Sequence, residues 1–414
     1  MTGLGLLSWA GAALLLLASA SAAAAPGACR ILTRDNVAEC ATRASPALAS
    51  AAHAVSAAEG RVTAATPWLP SRPVLGLSAG RATRTGSGSA LAWRAELAQE
   101  LELGGQRGAR GQLARAEASA HKHAASAVSR DIAASALLFY FDALAADEEA
   151  RLERRAERVA ERVALAAQAL AERGGAPRVD ADVAAVSAAR ATQARLDAER
   201  RGKRARTELG SLVGQTEAQV SGLLEPLPRP PRGQGDPEAL PEVATLRAEQ
   251  RAERARAETF RRQRVPNVSV SLFVERDGYD EQVLGGGVQI PLPVARTYSG
   301  EIREAEALAL RASSRAHERT REARLRWATA ALEYDARAKA LAAFSPERVA
   351  RAERSLEDMA TEIEQQRLAA RDALVAQQAL LDYLRSHVAA RHAVCRASVE
   401  LLRASGLPVR GGAR

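Results

Sequence analysis

The chain has 414 residues, enough for two or three ordinary globular domains, yet only 3% of it is aromatic while 47% is hydrophobic, largely as alanine. Alanine packs helices closely but fills no thick core, so the composition argues against large globular cores and suits a thin-walled, helix-rich object. The formal charge of +9 does not make it a nucleic-acid binder: Arg and Glu alternate along stretches such as RLERRAERVAER from Arg151, a solvated helix face without interleaved aromatics.

Residues 1–25 are apolar around ALLLLASA and end in an Ala-rich stretch at Ala25, the form of a cleaved secretory signal. The run is too short, and too flanked by small residues, to be a spanning helix, although no Lys or Arg precedes Leu14. Export permits a short-loop disulfide between Cys29 and Cys40. A lipidated Cys29 and two unpaired small residues are the alternatives, and Pro26 stands where a lipidation signal carries an aliphatic residue.

The chain then says one thing twice. GARGQLARAEA ending at Ala118 returns as YSGEIREAEA ending at Ala307, and TELGSLVG ending at Gly214 returns as VELLRASG ending at Gly406, a spacing of about 190 residues that marks a duplicated unit. Each copy reads as a short helix, two strands, a very long helix, a turn and a returning helix. The first spans residues 26–221, with strands about 73–83 and 90–103 and helices about 106–173 and 178–212. The second spans 243–407, with strands about 267–276 and 282–292 and helices about 300–365 and 369–404. Between them, 222–242 is a Pro-rich linker or belt with no core of its own, and 408–414 is a disordered tail.

Two-residue periodicity carries the strand assignments. Leu75, Leu77 and Ala79 share one face of the first strand, and Leu91, Trp93, Ala95 and Leu97 share one face of the second. Val268, Val270, Leu272 and Val274, then Leu284, Val288, Ile290 and Leu292, repeat the pattern, with Gly285, Gly286 and Gly287 read as a bend. The first long helix, uninterrupted by proline, would run about 100 Å. Its residues Leu152, Ala156, Val159, Val163, Ala166 and Leu170 alternate spacings of four and three, a coiled-coil seam. Val349, Ala352, Leu356, Met359 and Ile363 keep that rhythm in the second copy, while Leu374, Leu381, Val388, Cys395 and Leu402 fall a heptad apart. Cys395 is therefore a packed residue and not a reactive thiol.

Four strands with one oily face fit a transmembrane barrel, but four cannot close, and a lipid-exposed sheet has no free edge. Several chains must share one barrel. A small soluble sheet packed on helices is the competing reading.

The segments RPVLGLSAG, QELELGGQRGARGQLARAEA and VQIPLPVARTYSGEIREAEA, with the closing LGSLVG and LLRASG, resemble the TolC family of outer-membrane efflux ducts, and within it the heavy-metal branch that serves resistance-nodulation-division pumps. The resemblance covers essentially the whole mature chain in the right order. It implies a mainly α fold with a small β part: a homotrimer in which twelve strands form one outer-membrane barrel continuous with a periplasmic α-helical barrel. It further implies docking to a periplasmic adaptor (membrane fusion) protein and an inner-membrane RND-type pump. On this reading the protein passively exports small solutes such as metal ions or toxic compounds. The exit duct of a type I protein secretion system, or a soluble periplasmic coiled-coil scaffold, are the rivals.

No catalytic, cofactor or metal constellation stands out, and no enzyme, nucleic-acid or nucleotide function is expected. His121 and His123 are two apart on a helix and face different ways, His387 and His392 are five apart, and LGGGV lacks a phosphate-loop context. A duct selects at its constrictions. The family places one at the periplasmic tips, where Gly174 and Gly175 can turn the first hairpin, with Arg178, Asp180 and Asp182 beyond it. In the second copy Glu362, Glu364, Arg371 and Asp372 flank the turn, and matching DALVAQ to the family's Asp-bearing motif puts Asp372 at a gating acid. The second acid of that motif falls at Val375 and the turn lacks Gly, so ordinary exposed helix charges remain the alternative. Arg178 and Arg371 are candidates to pair with the acids and hold a closed state.

Overall fold

In the computed structural model, residues 29–84, 88–230, 236–278, 281–292 and 297–409 are described. The signal assigned to 1–25 and residues 410–414 of the tail lie outside them. The chain begins with β1 (Ile31–Leu32) and α1 (Val37–Ala44), then α2 (Pro46–Ala65), β2 (Val74–Arg84), β3 (Gly88–Leu101), α3 (Gln106–Glu172) and α4 (Arg178–Val213). After β4 (Gln219–Val220) come α5 (Pro241–Arg262), β5 (Val268–Arg276), β6 (Gln282–Gln289), α6 (Ser299–Ala342), α7 (Pro346–Glu364) and α8 (Ala370–Ala404). With 67 residues, α3 spans about 100 Å and packs along its length on α2, α4, α5, α7 and α8.

Both copies close in the same way. Leu209 and Leu401 are buried, and each helix gives way to a glycine in the left-handed region, Gly214 at φ +75° and Gly406 at φ +79°. A side chain there would be strained, which is why the copies retain Gly at this point.

They differ in the long helix of the second copy. The sequence predicts one helix over about 300–365, but the structure has two, because Pro346 has no N–H to give the Ala342 carbonyl. Ser345 caps the new helix, its hydroxyl accepting from the Arg348 N–H at 3.4 Å. Phe344, at the break, lies against the rings of Tyr383 at 5.2 Å and His387 at 5.5 Å on α8. The stretch before the first strand breaks in the same way at Ser45 and Pro46. β6 stops at Gln289 and not at 292, short of Pro291, which lacks a donor.

Two large apolar clusters hold the helices, and a small one of Leu240, Val243 and Ala323 joins α5 to α6. The first gathers Leu32 and Val37, Tyr140 and Phe141 of α3, Leu209, and Cys395 and Val399 of α8. Leu224 and Leu227 insert into it, so the Pro-rich segment does belong to a core; each such burial contributes about 1.5–3 kcal/mol. The segment is pinned further by Tyr140, whose hydroxyl donates to the Ser221 carbonyl at 2.8 Å, and by the Leu227 N–H, which donates to Ser398 Oγ at 2.9 Å. Val409 also packs there, so the start of the expected disordered tail is ordered. Cys29 and Cys40 are joined as a disulfide beside this cluster, and β1 pairs in parallel with β4, a contact with no sequence signal. The second cluster joins Ala156, Val159, Val163 and Ala166 of α3 to Leu356, Met359 and Ile363 of α7 and Leu381 of α8.

Candidate functional site: an amphipathic sheet and two helical tips

The four main strands form one antiparallel sheet in the order β2-β3-β5-β6, so β3 and β5 join the two copies. Register aligns the apolar positions across the sheet. Leu75 faces Leu97, which faces Leu272; Leu77 faces Ala95, Val274 and Leu284 in turn; Val270 faces Val288. Leu77 is 76% exposed and Leu284 81%, and no described helix covers this face. A water-soluble sheet would bury it. Trp93 lies on the same face, Trp68 stands exposed in the segment leading into β2, and among the described residues β2 and β6 each have one unpaired edge. No described helix is long and apolar enough to cross a membrane.

The opposite face is mostly Gly, Ser and Ala, with Val74 and Val283 toward its ends and one charged cluster that sequence reasoning missed. The Arg94 guanidinium lies 4.1 Å from the centre of the Phe273 ring and donates to Glu96 at 3.2 Å and Glu275 at 3.5 Å. A Cβ on Gly285 would overlap that ring. The glycines expected to bend β6 therefore do something else: Gly285 leaves room for Phe273, and the strand continues through Gly286 and Gly287. The only sequence signal was an aromatic at a polar-face position opposite a glycine, which no periodicity rule reads.

At the far end of the helices, the first tip turns through Gly174 at φ +73°, with the Gly175 N–H donating to the Leu170 carbonyl at 2.8 Å. The second turns without glycine, Gln366 taking φ +59° while the Arg367 N–H reaches the Glu362 carbonyl at 2.9 Å. The two turns are neighbours, since a Cβ on Gly175 would lie 3.9 Å from Gln366 Nε2. Arg178, Asp182, Glu364, Arg371 and Asp372 are exposed, and Asp180 and Glu362 are half-buried. Arg178, Glu161, Glu172 and Asp182 line a cavity of about 1010 Å³ between α3 and α4. The pairing expected of Arg178 and Arg371 does not occur within the chain: among the described residues the tip ion pair is Arg367 with Glu362, at 3.7 Å.

The histidines are scattered. His121 Nε2 sits 3.2 Å from Arg61, and His387 is held below its ordinary value by burial and by the nearby Arg391, against the pull of Glu353. His392 lies 2.6 Å from Asp142, which Arg396 also contacts at 2.5 Å. Burial pushes Asp142 up, but the hydrogen bonds from His392 and Arg396 outweigh it and leave the carboxyl below its usual range. Among the described residues no group of three or more His, Cys, Asp or Glu side chains is arranged to hold a metal ion.

Comparison with known proteins agrees with this geometry. Residues 38–215 match the family described as outer membrane efflux protein. Among solved structures, CusC, described as forming a transmembrane channel, superposes with a TM-score of 0.75 at 13% identity over 94% of this chain and 96% of that one. The outer-membrane channel OprN gives 0.73 at 16% identity, covering 90% and 89%, and the outer membrane protein VceC of Vibrio cholerae gives 0.70 at 18%, covering 90% and 95%. At such identities the likeness establishes the fold. Curated protein sequences yield no match. The family's match thus covers the first copy of the duplicated unit, while the fold shared with these outer-membrane channels extends over nearly the whole length of the chain.

Proposed function

We propose that three copies of this chain form the exit duct of a tripartite efflux system. One observation carries the reading: a four-stranded sheet with an uncovered apolar face and two free edges, mounted on helices about 100 Å long. The edge of β6 in one copy meets β2 of the next, which closes twelve strands and leaves no unpaired backbone in lipid. The helices extend the lumen into the periplasm, where the tips meet an adaptor protein and an inner-membrane pump supplies the driving force. Export through the duct is passive, and small solutes such as metal ions or toxic compounds are the cargo that the efflux family favours over secreted protein.

The tips are the gate in this reading. Asp180, Asp182, Glu362, Glu364 and Asp372 place acids close to the threefold axis, and Arg178 and Arg371, unpaired within one chain, are available to a neighbouring subunit. Membrane fractionation tests the duct: heat-resistant trimers in the outer-membrane fraction are expected. Release of monomers by osmotic shock would instead mean a soluble scaffold.

A further inference from the structure

The uncovered face of the sheet changes character toward the end away from the helices. Pairing is continuous from Val74 with Ala98 to Arg84 with Gly88, so alternation holds along β2 and Arg81 falls on the same face as Leu75, Leu77 and Ala79. Leu91 is opposite Arg81, and Trp93 is opposite Ala79 on one side and Arg276 on the other. Trp93 therefore stands between two arginines, one directly opposite and one on the diagonal, within reach of a long side chain. Arg81, Leu91 and Trp93 are exposed. Beyond them the face is polar, with Thr83 opposite Ser89 and Gln282 opposite Arg276. No Asp or Glu of the four strands shares this face, since Glu96, Glu100 and Glu275 all lie on the other, and Asp277 and Glu281 belong to the β5–β6 connection. From Leu101 to Leu91 along β3 the rise is about 26 Å, at about 3.4 Å per residue and a tilt of about 40°, close to the ~25 Å apolar band of an outer-membrane barrel. The arginines thus sit at the edge of such a band.

We infer that Arg81, Trp93 and Arg276 form a headgroup site for a phosphorylated glycolipid of the outer leaflet, one on the outer wall of each subunit. The inference rests on the duct reading, which turns this face toward lipid and the helices toward the periplasm, and so puts these strand ends in the outer leaflet. A cation on a lipid face is costly at the membrane midplane and tolerated near its edge, where the aliphatic stem of an arginine lies along acyl chains and its head reaches the headgroups. Two cations on a face whose strands carry no acid call for an anion from the lipid itself. Phosphate fits, because the guanidinium fork meets two of its oxygens at once. An indole, apolar in body with one N–H, suits the level at which acyl chains give way to headgroups. The hydroxyls of Thr83 and Ser89, one row further out, are matched to the sugar of a glycolipid.

Native mass spectrometry of purified trimers, titrated in detergent with bisphosphorylated lipid A, its dephosphorylated form or phosphatidylglycerol, tests the site. The parent should retain bisphosphorylated lipid A severalfold more tightly than either of the others. Arg81→Gln combined with Arg276→Gln should abolish most of that difference, and Trp93→Ala should reduce it. Arg81→Lys with Arg276→Lys, which keeps the charge and loses the fork, should retain more of it than the Gln pair. Arg94→Gln, on the other face, should leave it at the parent value. Retention that ignores the phosphates, or that survives the Gln pair undiminished, overturns the site while the duct stands. Phosphatidylglycerol held as tightly as lipid A overturns the assignment to an outer-leaflet glycolipid. Heat-resistant trimers on gels verify that each variant assembles, and a parent that yields no trimers overturns the duct reading and the site together.

Discussion

Cys395 and Asp142 show how far a residue's chemistry is set by its surroundings. Cys395 lies in the first cluster with no exposed surface, and burial pushes its thiol up to about 12. At neutral pH the thiolate is essentially absent, so a maleimide should label the native protein many times more slowly than the unfolded chain, a difference mass spectrometry reads directly. Asp142 has the opposite shift, its carboxyl held below the usual range by His392 and Arg396. A carboxyl with a depressed folded-state pKa contributes stability that is present above about 3.9, the unfolded value, and is lost as pH falls through the lower folded value. Thermal melting from pH 6 to pH 2 should therefore lose stability below about pH 4, and Asp142→Asn should flatten that acid limb. The heptad spacing of Leu381, Cys395 and Leu402 made burial of the thiol legible, whereas nothing in the sequence joined Asp142 to residues about 250 positions away.

Among elements, α7 is the one whose place depends most on packing. Pro346 separates it from α6, and it is held by Leu356, Met359 and Ile363 against α3 and α8, with Arg155 of α3 reaching Glu353 and Glu357 at 3.3 Å each. Those ion pairs are about half exposed and contribute little, so the apolar contacts decide. Leu356 is fully buried, and Leu356→Ala should cost about 2–5 kcal/mol, seen as a lowered melting temperature, while Glu353→Gln should change it by less than about 1 kcal/mol. The seam of α7 was legible from its spacing, as was the 67-residue α3 from the absence of proline. The break departs from the duplication, whose first copy has one uninterrupted helix at this place, and its local signal is Ser345 followed by Pro346, a strong helix start.

For the whole molecule, the proposed duct depends on what the described residues of one chain leave incomplete: two sheet edges, an uncovered apolar face, and the tip charges of Arg178 and Arg371. If Asp372 belongs to the gate, Asp372→Ala should raise the closed-state conductance of trimers in planar bilayers, and an unchanged current would make it an ordinary helix charge. Its position in the first turn of α8, exposed and beside the second tip, is what makes the measurement decisive.

The sequence by itself determined the duplication, the faces of the strands, the seams of the long helices and the positions of both turns, because each of these is written in local spacing that survives without knowledge of distant contacts. Only the tertiary structure decided that β3 pairs with β5, that Leu224 and Leu227 seal a core, and that Arg94 rests on Phe273 beside Gly285. Those contacts join residues far apart along the chain, and their energy depends on shape and partner together, which no periodic pattern encodes.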